Sequence, residues 1–135
     1  MTALDDALTR IGDRWTLLVV DALMDGPLRF GDLSEQLAGI APNVLTKRLR
    51  QLEADGIVRS TPYHERPVRL SYELTEPGRR LAGALALLAT WGSTLSQRSD
   101  DHRHPDCGTT LEARLWCPTC DRPVDPIEAD ADILL

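Results

Sequence analysis

Apolar residues recur at the spacing of amphipathic helices along most of the first 98 residues. Leu4, Leu8 and Ile11 stand at i, i+4 and i+7, and they predict a first helix that ends at Gly12. The pattern then resumes and predicts a second helix, which stops at the turn-forming segment 25–27, Asp-Gly-Pro. The apolar positions of this second helix are Trp15, Leu18, Val19, Ala22 and Leu23.

Two further helices, separated by a glycine, are predicted next. The third covers residues 30–38, after a short extended segment at 27–29, and Gly39 ends it. Pro42 suits the first position of a helix, so it opens a fourth helix that runs to Asp55. A helix, a glycine-containing turn and a second helix together form a helix-turn-helix.

Strand-like alternation replaces the helical period after this point. The segments IVRSTPY (57–63) and VRLSYEL (68–74) predict the two strands of a hairpin, with HERP (64–67) as a basic loop. Thr75 then caps a last long helix with an apolar stripe. The stripe consists of Leu81, Leu85, Leu88, Trp91 and Leu95. The order α-α-α-α-β-β-α predicts a mainly α, α+β fold, a winged helix-turn-helix domain with the hairpin as its wing.

The net charge of −6 is distributed unevenly. Up to Arg98 there are 12 Lys and Arg against 12 Asp and Glu, whereas the remainder has 3 against 9. Residues 43–69 hold 6 basic residues against 3 acidic ones, a local excess that suits nucleic acid. We predict a DNA-binding and dimerisation domain at 1–98, a linker at 99–103, a zinc-ribbon-like segment at 104–124 and an acidic flexible tail at 125–135.

The outer face of the fourth helix carries the candidate DNA-reading groups. At 100° per residue, Leu45, Leu49 and Leu52 share one face, and basic and amide side chains occupy the other. Such groups match the hydrogen-bonding edges of bases in the major groove. We predict that Asn43, Thr46 and Lys47 contact base edges, that Arg48 and Arg50 contact phosphates, and that Arg66 and Arg69 contact DNA from the hairpin. The alternative is an ordinary solvated charged face.

Three ordered motifs, GPLRF-DL, LT-RLR-LE-DGIV and YELT-PG, extend through this region. With them the chain resembles the HxlR-type winged helix-turn-helix transcriptional regulators, relatives of the MarR group, over roughly residues 4–95. The resemblance implies a dimeric DNA-binding protein that regulates a nearby gene. It also implies that the first and last helices form the dimer interface, that the helix 42–55 reads DNA, and that the hairpin at Val68 is the wing.

Two positions depart from the family pattern. Many members carry a cysteine just before the first helix, and some use it to sense electrophiles or oxidants. Here that segment is MTALDD, so this kind of thiol sensing is not available. Members often have Ser before the proline of the recognition helix, whereas this chain has Ala41, a poor N-cap that leaves early amides free to bind a phosphate.

All three cysteines lie in the segment HPDCGTTLEARLWCPTC, residues 104–120. The spacing of two knuckles, each with two residues between its ligands, predicts a structural zinc ion, and the segment between them is expected to form a small hairpin as in a zinc ribbon. The candidate ligands are His104, Cys107, Cys117 and Cys120. His102 is an alternative first ligand, and metal-free thiols or a redox pair of Cys117 with Cys120 are the alternatives to metal.

The rest of the sequence argues against a membrane protein, a secreted protein and an enzyme. No apolar run approaches a membrane span, and the acidic N-terminus lacks a secretion signal, so we expect a cytoplasmic protein without a membrane partner. The sequence shows no nucleophile–base pair and no phosphate-binding loop, so we do not expect an enzyme.

We therefore expect a sequence-specific transcriptional regulator, with a repressor favoured, that binds a near-palindromic operator in double-stranded DNA as a homodimer. A small-molecule effector stays open as a further partner. The alternative is a protein-interaction module, built from a winged helix and a zinc ribbon, without DNA specificity.

Overall fold

The computed structural model describes residues 1–97, 103–125 and 127, in two compact units that divide after Leu85. The first unit holds α1 (Ala3–Ile11), α2 (Arg14–Ala22), a 3-10 turn (Leu23–Asp25), β1 (Leu28–Arg29), α3 (Phe30–Gln36), α4 (Pro42–Ala54), β2 (Val58–Glu65), β3 (Val68–Leu74) and α5 (Glu76–Arg79). Helix α6 (Ala82–Ser96) crosses the division, and β4 (Leu115–Cys117) and β5 (Arg122–Val124) follow. The predicted helix-turn-helix followed by a hairpin is confirmed, and the fold is a mixed α+β winged helix.

The core of the first unit is built from one face of each element. Leu45, Leu49 and Leu52 of α4 are at most 2% exposed, as the helical period predicts. They pack with the other buried apolar side chains of this unit, which are Val19, Val20, Leu23, Leu33, Leu37, Ile40, Ile57, Val58 and Leu74. Each fully buried leucine or valine contributes about 1.5–3 kcal/mol, so α4 is firmly fixed by its inner face.

The sheet is antiparallel, with the strand order β1-β3-β2. The extended segment predicted at 27–29 becomes β1, in which Leu28 pairs with Tyr72 of β3. Strand β2 extends beyond its predicted end at 63 to Glu65, so only Arg66 and Pro67 remain as the turn of the wing. The predicted four-residue loop 64–67 is therefore wrong, because ladder pairing continues to Glu65 opposite Val68.

The single last helix predicted from Thr75 is wrong, because the chain forms α5 and α6 instead. The amide of Leu81 donates to the carbonyl of Gly78, three residues back, at 3.2 Å. This hydrogen bond spans three residues, as in a 3-10 turn, and it ends α5 before the longer helix α6 begins. Thr75 does cap α5 as predicted, since its hydroxyl accepts from the amide of Gly78 at 3.3 Å.

In the second unit, β4 and β5 form a short antiparallel hairpin, with Trp116 opposite Pro123. A separate bridge joins Arg103 to Thr110. The small hairpin predicted within TTLEARLW (109–116) is wrong, because the antiparallel pairings of this unit enclose residues 104–109 and 118–121, and none lies within 109–116. Of the predicted linker 99–103 only Arg103 is described, and His102 lies outside the described residues. In the predicted acidic tail, only residues 125 and 127 are described.

The start of α5 is tied to the end of α4 through the backbone. The hydroxyl of Thr75 donates to the carbonyl oxygen of Gly56 at 2.6 Å, and its amide donates to that of Ile57 at 3.0 Å. Gly78 is buried against the same Ile57 carbonyl, and a Cβ atom there would lie far inside van der Waals contact with this oxygen. Only glycine therefore allows the wing and α5 to approach α4 so closely.

We expect Gly78→Ala to lower the free energy of unfolding by about 1–3 kcal/mol, the usual cost of overpacking a closed site. Gly83→Ala is the matched control, because a Cβ there meets no atom within 4 Å. Alanine is the better helix former, so the control should be neutral or more stable by up to about 1 kcal/mol. Urea unfolding of both variants measures the difference, and equal stabilities would contradict the close contact at Gly78.

Candidate nucleic-acid interface

The outer face of α4 presents one continuous polar surface. Because the three leucines of α4 are buried, the side chains on the opposite side of the helix point away from the core. Five of them line a single open depression, which we call the α4 surface: Asn43, Thr46, Lys47, Arg50 and Gln51. This surface contains two cations, two amides and one hydroxyl, and no carboxylate. It combines Asn43, Thr46, Lys47 and Arg50, four of the five residues predicted to contact DNA from this helix.

The N-terminal end of α4 has no side-chain cap. Ala41 supplies no acceptor, and Pro42 occupies the first turn. The hydroxyl of Thr46 donates to the carbonyl of Pro42 at 2.9 Å, so its hydrogen is used within the helix. The methyl group of Thr46 takes no part in this hydrogen bond. The first turn of α4 therefore offers uncapped amides, which attract anions, together with a small apolar contact.

Arg48 lies away from the α4 surface. Its Nη2 atom donates to Oδ2 of Asp13 at 2.9 Å, at the start of α2, and its side chain is 28% exposed. The Nε atom is buried and has no hydrogen-bond partner among the described residues. Arg48, which we predicted to contact a phosphate, thus binds Asp13 and connects α4 to the start of α2.

Asp13 has two partners in the same place. Its carboxylate accepts from the amide of Thr16 at 3.1 Å, which caps α2, and it also binds Arg48. Partial burial raises the pKa of Asp13, but the Thr16 amide and the charge of Arg48 outweigh this and hold the pKa below its ordinary value. The ionised form of Asp13 therefore favours the folded state.

The wing carries the two remaining predicted DNA contacts. Arg66 stands in its two-residue turn, and Arg69 pairs with His64 across the strands. Both arginines are exposed. Nδ1 of His64 lies 3.0 Å from the carbonyl oxygen of Pro67, so this histidine braces the turn. The structure does not place Arg66 or Arg69 in the depression on α4, and they form a separate basic tip.

Arg29 is a basic residue near the wing that the periodicity did not single out. Its guanidinium lies 4.2 Å from the ring centroid of Tyr63, which occupies the irregular position between Pro62 and His64 in β2. Arg29, Tyr63 and Arg69 line one shallow cavity. The available signal was the arginine inside the GPLRF motif, next to the short strand that joins the wing.

The cysteine-containing segment 103–125, called the tail from here on, brings its candidate ligands together in two pairs. Nδ1 of His104 lies 3.5 Å from Sγ of Cys107, and the amide of Cys120 donates to Sγ of Cys117 at 3.5 Å. A hydrogen bond with Thr109 lowers the pKa of Cys107, and the amide of Cys120 lowers that of Cys117. Over residues 1–97, 103–125 and 127, no three His, Cys, Asp or Glu side chains are close enough to hold a metal ion.

A family model for HxlR-like helix-turn-helix proteins matches residues 10–100 of this chain. The chain belongs to the HxlR-like helix-turn-helix family. An HTH-type transcriptional regulator of Mycobacterium tuberculosis is 39% identical over 118 residues, which covers 84% of this chain and 74% of that protein. The HTH-type transcriptional regulator YodB of Bacillus subtilis is 33% identical and covers 72% of this chain and 87% of YodB. The members of the family are DNA-binding transcriptional regulators, which are generally not enzymes.

Solved structures of similar proteins confirm the winged-helix fold. The transcriptional regulator YtcD superposes with a TM-score of 0.67 at 35% identity, covering 73% of this chain and all of YtcD. The redox regulator HypR in its oxidized form superposes with a TM-score of 0.64 at 34% identity, covering 69% of this chain and 96% of HypR. In this chain, residues 10–100 contain no cysteine. Within the described part of the chain, no helix is long and apolar enough to cross a membrane.

We expect Asp13→Asn to flatten the pH dependence of stability. Asparagine keeps the cap on Thr16 because Asn and Asp are equally good N-caps. The lowered pKa means that the charge of Asp13 stabilises the fold fully above its unfolded pKa of about 3.9, and that this contribution is lost as the pH falls through the folded value. Urea unfolding from pH 7 to pH 2.5 measures both proteins.

The double variant Asp13→Asn, Arg48→Gln is the control for the charge pair. We expect a coupling of about 0.2–1 kcal/mol between the two single substitutions, because the pair is partly exposed and solvent screens it. Additive effects of the two substitutions at pH 7 would show that the pair does not hold α4 against α2.

Proposed function

We propose that this regulator binds a near-palindromic operator as a homodimer and represses transcription from it in the cytoplasm. The observation that carries the proposal is the α4 surface, on which cations and amides stand together without a carboxylate opposite a fully buried leucine face. A repressor needs no further contacts, since occupancy of an operator near a promoter excludes polymerase. The same α4 surface supports sequence reading.

The side chains of the α4 surface differ in their position along the helix, and we assign their roles by that position. Asn43, Thr46 and Lys47 occupy its first half, the part of a recognition helix that usually meets base edges. Asn suits adenine, Lys suits guanine, and the methyl group of Thr46 suits thymine. Arg50 lies one turn later, where a phosphate contact is expected. We assign Arg48 to holding α4 against α2 through Asp13, so its effect on DNA binding is indirect.

The wing supplies a second, sequence-tolerant contact in this proposal. Arg66 and Arg69 are exposed at or beside a tight turn, which suits a phosphate or a narrow minor groove. The contact of Arg29 with Tyr63 joins β1 to β2 beside the wing. The wing arginines therefore add affinity, whereas the first half of α4 adds specificity.

The homodimer is supported by apolar side chains without cover within the described chain. In α6, the exposed members of the apolar stripe are Leu88, Trp91 and Leu95, at 52%, 64% and 68% exposure, and Leu87 is also exposed. In α1, Leu4 and Leu8 are exposed on one face. Exposed apolar surface of this extent marks an interface, and a twofold partner would also place two recognition helices about 34 Å apart, one turn of DNA.

We expect Lys47→Ala and Arg50→Ala to weaken binding to operator DNA by different routes. The operator is first selected from genomic fragments with the purified full chain, and binding is then measured at several salt concentrations. Lys47→Ala should lose about 1–3 kcal/mol and relax the preference at one base pair. Arg50→Ala should weaken all sequences alike and reduce the salt slope by about one.

Arg80→Ala is the control for loss of one positive charge, because Arg80 directly follows α5, lies beside Glu76 and does not line the α4 surface. It should bind the operator as the parent does. Parental binding by both α4 variants would remove the assignment of this surface to DNA. If the full chain binds no DNA in a salt-dependent way, the protein-interaction alternative is favoured.

We expect Trp91→Glu and Leu88→Glu each to convert the homodimer to a monomer, because a carboxylate in an apolar interface is not solvated. Leu111→Glu in the tail is the matched control, since Leu111 is also 51% exposed but lies outside α6. Analytical ultracentrifugation measures the mass of each. A monomeric parent chain at micromolar concentration would contradict the dimer, whatever the variants do.

A further inference from the structure

The described tail contains the same five-residue loop twice. The loops cover residues 104–108 and 117–121, with the sequences HPDCG and CPTCD. In each, the amide of the fifth residue donates to the carbonyl oxygen of the first at 2.8 Å. The fifth residue has positive φ in both, 70° at Gly108 and 53° at Asp121. This is costly for a residue other than glycine, so the repeat of the loop at Asp121 is a specific backbone feature.

Each loop also closes a short antiparallel pairing. Arg103 bridges Thr110 around the first loop, and Cys117 pairs with Arg122 around the second. The tail thus contains two similar turns, the first closed by a single β-bridge and the second by the β4–β5 hairpin. Two turns of this kind are the parts of a zinc ribbon, in which each turn supplies two ligands to one ion.

The tail has regular backbone structure without an apolar core. None of the side chains between residues 103 and 125 is buried, and only Cys117 and Val124 are partly covered. Trp116 and Leu115 are more than half exposed. A segment of this size does not stabilise strands and turns by burial, whereas a bound metal supplies folding free energy directly.

In the first loop, the distance between the two candidate ligand atoms fits two ligands of one ion. Nδ1 of His104 lies 3.5 Å from Sγ of Cys107. A tetrahedral zinc with ordinary N and S bond lengths needs about 3.5 Å between two such ligands. In the second loop, the amide of Cys120 points at Sγ of Cys117 and would stabilise a thiolate that binds metal.

We propose that the tail binds one structural Zn²⁺ through His104, Cys107, Cys117 and Cys120. The two loops are each formed within the described residues, and the ion would draw the two pairs of ligands together. When the loops are matched residue by residue, His104 corresponds to Cys117 and Cys107 corresponds to Cys120. This correspondence selects His104 as the fourth ligand over His102, which lies outside the first loop.

The similarity to one relative extends beyond the region that the family model matches. The match to the Mycobacterium tuberculosis regulator covers 84% of this chain, so it must extend past residue 100, where the family model ends.

The proposed metal site is independent of the α4 surface and of operator binding. Its failure would leave the proposed regulator unchanged, and the two proposals are tested by different measurements.

The test measures metal in the full chain purified under reducing conditions without added metal. Mass spectrometry of the elements should find about one zinc per chain. After removal of zinc, titration with Co²⁺ should give the visible absorption of tetrahedral cobalt with thiolate charge-transfer bands, and Zn²⁺ should displace it. A chain that holds much less than one zinc and gives no such spectrum would overturn the proposal. So would a disulfide between Cys117 and Cys120 in the metal-free purified protein.

Variants test the ligand set. Cys117→Ser, Cys107→Ser and His104→Gln should each lower zinc affinity more than about 100-fold, because loss of an outer-shell partner alone costs roughly 10- to 100-fold. His64→Gln in the wing and His102→Gln are the matched controls and should keep parental affinity. If His102→Gln loses zinc and His104→Gln keeps it, the assignment of His104 is wrong. Circular dichroism of the winged helix separates loss of metal from global unfolding.

Discussion

The burial of one face of α4 is the constraint on which the rest of this structure depends. Three leucines in the core fix the rotation of the helix, so the opposite side of α4 can face only solvent or a partner. A rotation of α4 by one residue, 100°, would bring Arg48 or Arg50 into the apolar core at a cost of several kcal/mol. The same leucines that stabilise the domain therefore determine which side chains form the α4 surface.

Polar contacts refine the placement that the leucines establish. Arg48 and Asp13 connect α4 to the N-terminus of α2, and Asp13 contributes a cap to α2 at the same time. At the other end, Thr75 and Gly78 hold α5 and the base of the wing against the turn that follows α4. Helix α4 and the wing are thereby held to one core from both ends, which would limit the entropy lost if both engaged a duplex as proposed.

The tail follows a different physical rule. Its two loops have matching hydrogen bonds and backbone angles but almost no buried side chain. In the winged helix, order comes from apolar burial, and polar residues are placed by it. In the tail, apolar burial does not supply that order, and the zinc ion proposed above would supply the missing folding free energy. If it does, the chain combines two means of stabilising a fold.

Much of the winged helix was predictable because its signals are local. The 3.6-residue period found the helices and the buried face of α4, and strand alternation found the wing. Ordered motifs identified the family. The division of the last helix at Leu81, the extra length of β2 and the pairing of β1 with β3 depend on hydrogen bonds between distant or competing groups, which no period in the sequence reveals.

The candidate site likewise has one part that the sequence predicts and another that depends on tertiary contacts. Sequence by itself determined which residues stand on the outer half of α4, because helix geometry assigns every side chain to a face. Tertiary structure decided that Arg48 turns to Asp13 instead of joining them, since its partner lies 35 residues away. It also brought Arg29 to Tyr63, and it showed that two loops in the tail share one backbone form. Contacts of this kind arise only when separate elements meet.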